Sequence, residues 1–360
     1  MTKPAVVAVL YQALPPPVID GLRKDAKPGG YSDGGADIAF ALRTAGQAVV
    51  TPSPSPDPAV PLDWVFPDTI EGIRAAGEAG ASTLWANTVL FAGHPLETVL
   101  RDFDIVGQLP AAIHIYDDKF ETNRIMAAAG LPVAASFLVS KEARDGVHAL
   151  ENVSRVCSDF GLTFPLIVKP VRGRGSQGVT RVADLDELYT AAEALIEAAT
   201  FGNILMVEEY LDGDEMTVTV LPPHAPRPDG TMAGTHWALP AVYRFDQPGG
   251  VAPYNGDVPV SANSIAIDAT RQRDRAIVAM VRACETAAAL VDARTIIRID
   301  CRGARDGAFK LFDLNMKPNL TGPGRPGRDD QDSLSSIAAR AVGWTYVDLL
   351  QATLAARWRE

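Results

Sequence analysis

Apolar positions along this chain alternate between short dense runs and helical stripes. Ala5–Tyr11 is apolar almost throughout, which predicts an opening strand buried on both faces of a parallel sheet. Irregular segments follow at Pro15–Pro17, Lys27–Gly30 and Gly34–Gly35. The pattern then predicts a helix after Asp37, with Ile38, Leu42 and Ala45 on one face, and a strand over Gln47–Val50. Thr51–Pro61 contains five prolines between small residues and reads as an exposed extended loop. A helix near Ile70–Ala79 and a strand near Ser82–Trp85 complete a βαβ alternation, so this part reads as doubly wound.

Further along, Gly107–His114 leads into a helix from Asp117 through Met126 that ends near Gly130–Pro132. The hydrophobic spacing predicts another helix over Leu185–Ala199. Asp184 and Glu187 form its N-terminal cap pair, and Leu185, Leu188, Ala192 and Leu195 its buried stripe. A strand over Ile204–Glu209 follows, then a Pro- and Gly-rich surface excursion at Pro222–Gly234. Arg271–Leu290 predicts a helix with Ile277, Met280, Val281 and Cys284 inward. Thr295–Cys301 and Ala308–Asn315 predict a hairpin around Arg305–Gly307. The closing helix is expected from Ser333 through Ala341, and no internal repeat is present.

Composition narrows the function classes. The 360 residues suffice for two or three domains with a sizeable core. A net charge of −11 argues against nucleic-acid and anionic-membrane partners and for a small ligand met in a local basic pocket. The three cysteines, Cys157, Cys284 and Cys301, are widely spaced and form neither a disulfide framework nor a metal-ligand set. The lack of a secretory-type N-terminus and of a bilayer-length apolar run predicts a soluble cytoplasmic protein.

Candidate chemistry sits in three stretches. Phe164–Val182 reads as a hairpin whose turn holds Gly173, Gly175 and Gly178, with Lys169, Arg172 and Arg174 around it. Glycines let backbone N–H groups converge on an anion, so the stretch reads either as a flap closing over a polyphosphate or as an exposed mobile hairpin. In the Thr295–Asn315 hairpin, strand alternation puts Arg298 and Asp300 on one face and Asp313 and Asn315 on the facing one. Two carboxylates and an amide oxygen suit a Mg²⁺ ion also held by substrate phosphates; the alternative is a solvated polar face with a cross-strand ion pair. Between these stretches, Val207–Val218 runs from an apolar strand through acidic residues and an Asp212-Gly213 turn into another strand. Its carboxylates suit a nucleobase amino group and ribose hydroxyls, or are solvated turn charges.

In order and spacing, the lysine helix, the Lys-Pro strand with its glycine flap, Glu-Glu-Tyr-Leu, Arg-Ile-Asp and Asp-Leu-Asn together resemble the ATP-grasp superfamily. The likeness is to the D-alanine–D-alanine ligase branch of carboxylate–amine ligases and runs from about Ile115 to the C-terminus. It implies a three-domain α/β fold with ATP held between two sheets: a substrate domain over 1–116, a lid with the flap over 117–211 and a catalytic domain over 212–360. It also implies a chemistry in which ATP phosphorylates a carboxylate and an amine attacks the acyl phosphate, releasing ADP and phosphate. Carried over by position, Lys119 and Lys169 hold the phosphates, and Ser176 with Gly175 and Gly178 covers the γ-phosphate. Glu208 and the Leu211 backbone bind adenine, and Glu215 binds ribose. Asp300, Asp313 and Asn315 ligate Mg²⁺, with Mn²⁺ as a substitute, and Arg298 stabilises the acyl transition state. Family habit also implies a homodimer. A cyclase or an ester- or thioester-forming enzyme would use the same intermediate, and a non-catalytic ATP-binding protein would keep only the binding set.

The departures bear on the substrate. Asp313 stands where the family usually has Glu, Glu209 where a lysine is common, and Arg244 is the candidate for a further family lysine at the γ-phosphate. The glycine, serine and glutamate signature after the first strand, and the later His-Gly-x-x-Gly-Glu segment, are both missing. D-Alanine is therefore not the expected substrate. His94, in the segment replacing that signature, is a candidate for an altered acceptor pocket. Arg325 and Arg328, in a Gly- and Pro-rich loop, and Ser333 beyond it are candidates for gripping a substrate carboxylate. Lys317 points the same way.

Overall fold

The computed structural model describes residues 5–19, 22–23, 28–173, 176–251 and 259–360. The flap residues Arg174 and Gly175 lie outside the described residues.

Four parallel strands form the first sheet: β1 (Val7–Tyr11), β2 (Phe66–Pro67), β3 (Thr83–Asn87) and β4 (Asp104–Val106), in the order β2-β1-β3-β4. Alternation along β1 explains why it is apolar throughout. Val7 and Val9 pack with Ile38 and Leu42 of α1 (Ser32–Thr44), while Ala8 and Leu10 pack with Ile73 and Ala76 of α2 (Ile70–Glu78). Each face carries a helix, as in a doubly wound unit.

Two short helices follow, α3 (Pro110–Tyr116) and α4 (Lys119–Ala128), where the sequence pattern suggested one; Asp118 caps α4 by accepting the Glu121 N–H at 2.8 Å. The second sheet has five strands: β5 (Ser136–Ser140), β6 (His148–Ala149), β7 (Leu166–Pro170), β8 (Thr180–Val182) and β9 (Leu205–Glu209), in the order β8-β7-β9-β5-β6. Leu166, Val168, Leu205 and Val207 turn toward α5 (Val153–Asp159) and α6 (Leu185–Ala198). Period two then sends Ile167, Lys169, Met206 and Glu208 to the other face.

In the third sheet β10 (Glu215–Leu221) pairs with the short β11 (Trp237–Ala238), and the main order is β13 (Ser264–Ala266), β12 (Val242–Arg244), β10, β14 (Ile297–Gly303), β15 (Phe309–Asn315). Ile297, Ile299 and Cys301 pack against Ile277, Met280 and Cys284 of α7 (Arg275–Leu290), leaving Arg298, Asp300 and Arg302 on the opposite face. The chain closes with α8 (Leu334–Arg340) and α9 (Tyr346–Ala355).

The first and third sheets share their core. One cluster joins Leu10 and Leu84 to Ile299 and Leu311, and another joins Val7 and Trp85 to Ile296, Leu349 and Leu350. The second sheet has a cluster of its own, drawn wholly from residues 137–207. Beyond α9 the chain returns to the edge of the first sheet, where Ile105 and Trp358 exchange backbone hydrogen bonds of 2.7 and 3.0 Å.

Two local expectations are corrected. Helix α1 begins at Ser32, so Asp37 lies inside it, fully buried, rather than at its start, and Ala45 is exposed. The expected strand at Gln47–Val50 reduces to a single bridge between Val7 and Val49. The strands on either side of the Asp212-Gly213 turn, β9 and β10, belong to different sheets. Helix α9 is not among the expected elements, although its Thr345–Asp348 capping box is visible in the sequence.

Candidate active site

The bare face of the second sheet and the charged face of the third line a common cleft enclosing about 810 Å³ of non-protein space. Lys119, Lys169, Ser176, Glu208, Leu211, Glu215, Arg244, Asp300 and Asp313 all line it. Lys119 arrives at the first turn of α4, held by its N–H donating to the Val171 carbonyl at 3.1 Å. Lys169 and Glu208 arrive on neighbouring strands.

Cations and carboxylates alternate across this cleft, mostly in pairs. Lys169 Nζ donates to Glu208 Oε2 at 2.7 Å, and Asn123 donates to the other Glu208 oxygen at 3.2 Å. Lys119 pairs with Asp313. Arg244 donates to Glu215 at 3.1 Å across the β10–β12 ladder. Arg298 holds Asp300 through two bonds of 3.2 Å, and Thr217 donates to the same carboxylate at 2.7 Å. Burial tends to raise the Asp313 pKa, but Lys119, Lys169 and Arg298 outweigh it and hold the carboxyl below the usual aspartate value. Burial likewise works against the Lys119 ammonium, and Asp313 overrides it, leaving the lysine pKa raised. For Glu208 and Glu215 burial wins, and both are pushed up despite Lys169 and Arg244 beside them.

Asp300 and Asp313 are directly opposed in the β14–β15 ladder, and Arg298 faces Asn315. Among the described residues no three His, Cys, Asp or Glu side chains group closely enough to hold a metal alone. The donor set nevertheless suits Mg²⁺ that arrives with phosphate oxygens. Asp313 has a second oxygen beyond the one facing Lys119, and the Asn315 amide oxygen, bonded to the Lys317 N–H at 3.0 Å, keeps a lone pair.

The flap turns at Ser176, φ +64°, and at Gly178, φ +71°. A Cβ at Gly178 would lie 2.9 Å from Pro170 Cγ and 3.1 Å from Phe201, so glycine is required there. Arg302, Tyr210 and Phe312 also line the cleft and went unrecognised in the sequence. Arg302 follows Asp300 by the two-residue period that exposed Arg298, which was the available signal. It stacks 5.3 Å from the Tyr210 ring centroid, with Arg181 4.9 Å from the same ring. The Phe312 carbonyl accepts from Lys169 at 3.4 Å, a backbone contact that residue type cannot reveal.

The four substrate candidates lie away from the cleft lining. His94 is fully buried; its Nδ1 accepts the Leu96 N–H at 3.1 Å, so Nε2 carries the proton and donates to Asp68 at 3.2 Å. Asp68 also accepts from Ala13, Leu14 and Thr88, which makes His94 part of a loop-fixing network. Arg325 and Arg328 do grip a carboxylate, but it is that of Asp37 on α1, at 2.8 and 2.9 Å. Ser333 is buried and caps α8 by accepting the Ser336 N–H at 3.2 Å. Lys317 Nζ reaches Asn87 at 3.4 Å and lies 3.6 Å from the Tyr31 ring centroid.

Residues 125–355 match the family described as D-ala D-ala ligase C-terminus. The chain belongs to that family. Its similar relatives include D-alanine–D-alanine ligases of Mannheimia succiniciproducens, 28% identical over 65% of each chain, and of Haemophilus influenzae, 30% identical over 65% of this chain and 67% of that one. The chain spans about 65% of the length of the first of these relatives. Among solved structures, D-alanine–D-alanine ligase from Bacillus anthracis complexed with ATP superposes with a TM-score of 0.64 at 16% identity, covering 97% of this chain and 96% of that one. VanG D-Ala:D-Ser ligase from Enterococcus faecalis gives 0.64 at 15% identity, covering 98% and 99%. The fold is the ATP-grasp fold of these proteins.

Proposed function

We propose that this protein is an ATP- and Mg²⁺-dependent ligase. It activates a substrate carboxylate as an acyl phosphate and joins it to an amine, with an amino acid or small peptide on at least one side. The observation that carries this reading is the meeting of Lys119, Lys169 and the Ser176 flap with Asp300 and Asp313 in one cleft, Arg298 being bonded to Asp300. Phosphoryl transfer requires positioning and charge neutralisation more than a covalent nucleophile, and this cleft supplies both.

In this reading the Leu211 backbone and Glu208 meet the adenine, and Glu215 meets the ribose. Lys119 and Lys169 neutralise the phosphates, for which phosphate oxygens compete with Asp313 and Glu208. Asp300, Asp313 and Asn315 would hold Mg²⁺, which supplies charge neutralisation between neighbouring phosphate oxygens. A substrate carboxylate oxygen attacks the γ-phosphorus and ADP leaves. The amine nitrogen then attacks the acyl carbon, its proton is lost and phosphate departs. Arg298, fixed by its two bonds to Asp300, faces the oxygen on which negative charge grows.

The test is phosphate release from Mg-ATP across pairs of amino acids and dipeptides, with mass analysis of products. A joined product is expected, and Lys169→Ala and Asp300→Ala should each abolish release. Full activity in either variant overturns the site assignment, and loss of water from a single substrate identifies a cyclase instead.

A further inference from the structure

A second cavity, open to solvent, lies beside the nucleotide cleft and shares Gly173 and Gln177 of the flap with it. Its floor comes from the segments that follow the carboxyl ends of β1 and β3, where ligands of open parallel sheets bind, the first of them including the short strand Val18–Ile19. All six residues those segments contribute are apolar: Pro16, Pro17, Ile19, Val89, Leu90 and Phe91. Phe201 and Ile204 close the far wall from the second sheet. Thr200 and Asn203 add polar groups to that wall, and at the end next to the flap Arg172 lies 3.5 Å from both Asp117 and Asp118 and donates to the His114 carbonyl at 3.2 Å. An apolar wall facing open space is unfavourable in water and marks a place for an apolar ligand group.

We propose that this cavity holds the side chain of the amino-acid or peptide substrate, and that this side chain is bulky and apolar. Its charged head lies at the Arg172 end, next to the flap that spans both cavities. The inference rests on the ligase reading above and adds the substrate class. Pro16 and Leu90 are already buried, but Pro17, Ile19, Val89 and Phe91 keep exposed surface that a methyl group would leave uncovered and an aromatic or branched chain would cover. In the Asp117–Asp118 segment, burial already raises the Asp118 pKa, the mark of a charge held where water is scarce.

The experiment titrates the whole protein, loaded with Mg²⁺ and the non-hydrolysable ATP analogue AMP-PNP, with both enantiomers of alanine and of phenylalanine by calorimetry. One phenylalanine enantiomer should bind at least about tenfold tighter than either alanine, the scale of extra apolar contact in a pocket. Val89→Trp, in a half-buried loop, should weaken phenylalanine about tenfold and leave AMP-PNP affinity unchanged; Ile19→Trp on the other segment serves if the first variant misfolds. Alanine binding as tightly as phenylalanine, no amino acid binding at all, or folded tryptophan variants that keep phenylalanine affinity would overturn the proposal. Phenylalanine binding with no phosphate release from ATP when paired with any amino acid or dipeptide supports the cavity and overturns the ligase reading, so the two failures are distinct.

Discussion

Arg298 and Asp300 stand two residues apart on one strand, and their side chains meet through two bonds of 3.2 Å. A planar guanidinium makes that pairing and a lysine cannot. On the ligase reading, Arg298→Lys should lower kcat on the order of a hundredfold with little change in the KM for ATP, since the group acts on charge that appears only in the transition state. Steady-state kinetics with saturating substrate check this. Asp313 gives a pH prediction. Its native pKa lies below the ordinary aspartate value because Lys119, Lys169 and Arg298 outweigh burial. As pH falls, the unfolded chain takes up this proton first, so the stabilisation is complete above the ordinary aspartate value and is lost as pH falls through the lowered native one. Glu208 and Glu215 act oppositely, because their raised pKa values make folding less favourable as pH rises through them. Asp313→Asn should therefore flatten the acid limb of the urea-midpoint profile, and an unchanged limb would refute the assignment. The sequence made these residues legible because period two along a hairpin fixes which side chains share a face. Arg325 and Arg328 show the opposite case: the carboxylate they hold, Asp37, lies 288 and 291 residues away, beyond any local pattern.

At the scale of elements, strong local signals were readable and weak ones were displaced by tertiary contacts. Helix α6 begins where its cap pair predicted: Asp184 accepts the Glu187 N–H at 2.9 Å, and Glu187 reaches back to the Ala183 N–H at 2.8 Å. Asp184→Ala should cost about 1 kcal/mol, read as a lowered urea midpoint with unchanged slope. Helix α1 was placed too late, since Gly34-Gly35 reads as a loop while Gly35 is needed for packing: a Cβ there would lie 2.9 Å from Val65 Cγ1. On the ligase reading, the flap is the element where conformation and ligand meet. Gly178→Ala places a side chain at φ +71° and against Pro170, so the turn must shift. The expected result is a rise in the KM for ATP of roughly tenfold alongside a loss of about 1 kcal/mol of stability, because a left-handed turn resists any residue with a Cβ. Equal ATP kinetics in the variant would mean that the flap does not close on the nucleotide.

Across the whole molecule, the shared cores make the first and third sheets one body, while the second sheet with α5 and α6 packs around its own cluster. The cleft lies between these bodies, so a ligand there bridges units whose cores are independent. The body formed by the outer sheets is tied by polar contacts as well. Asp37 on α1 is fully buried and accepts from both Arg325 and Arg328, and Arg325 also donates to the Pro58 carbonyl at 3.0 Å. These contacts pin the Gly- and Pro-rich loop after β15 to the N-terminal helix, and Gly324 lies so close that a Cβ would come within 2.4 Å of the Asp37 carbonyl oxygen. Removing the carboxylate leaves the buried Arg325 guanidinium with only the exposed Asp33, 3.0 Å away, as counter-charge, and breaking a buried pair costs up to roughly 3–5 kcal/mol. Asp37→Ala should therefore lower the stability of the body formed by the first and third sheets and leave the second sheet nearly untouched. Hydrogen exchange separates the two: amides of β1, β3 and β14 should lose protection while those of β7 and β9 keep it. Uniform loss across all three sheets would instead mean that the molecule unfolds as a single cooperative unit despite its divided core.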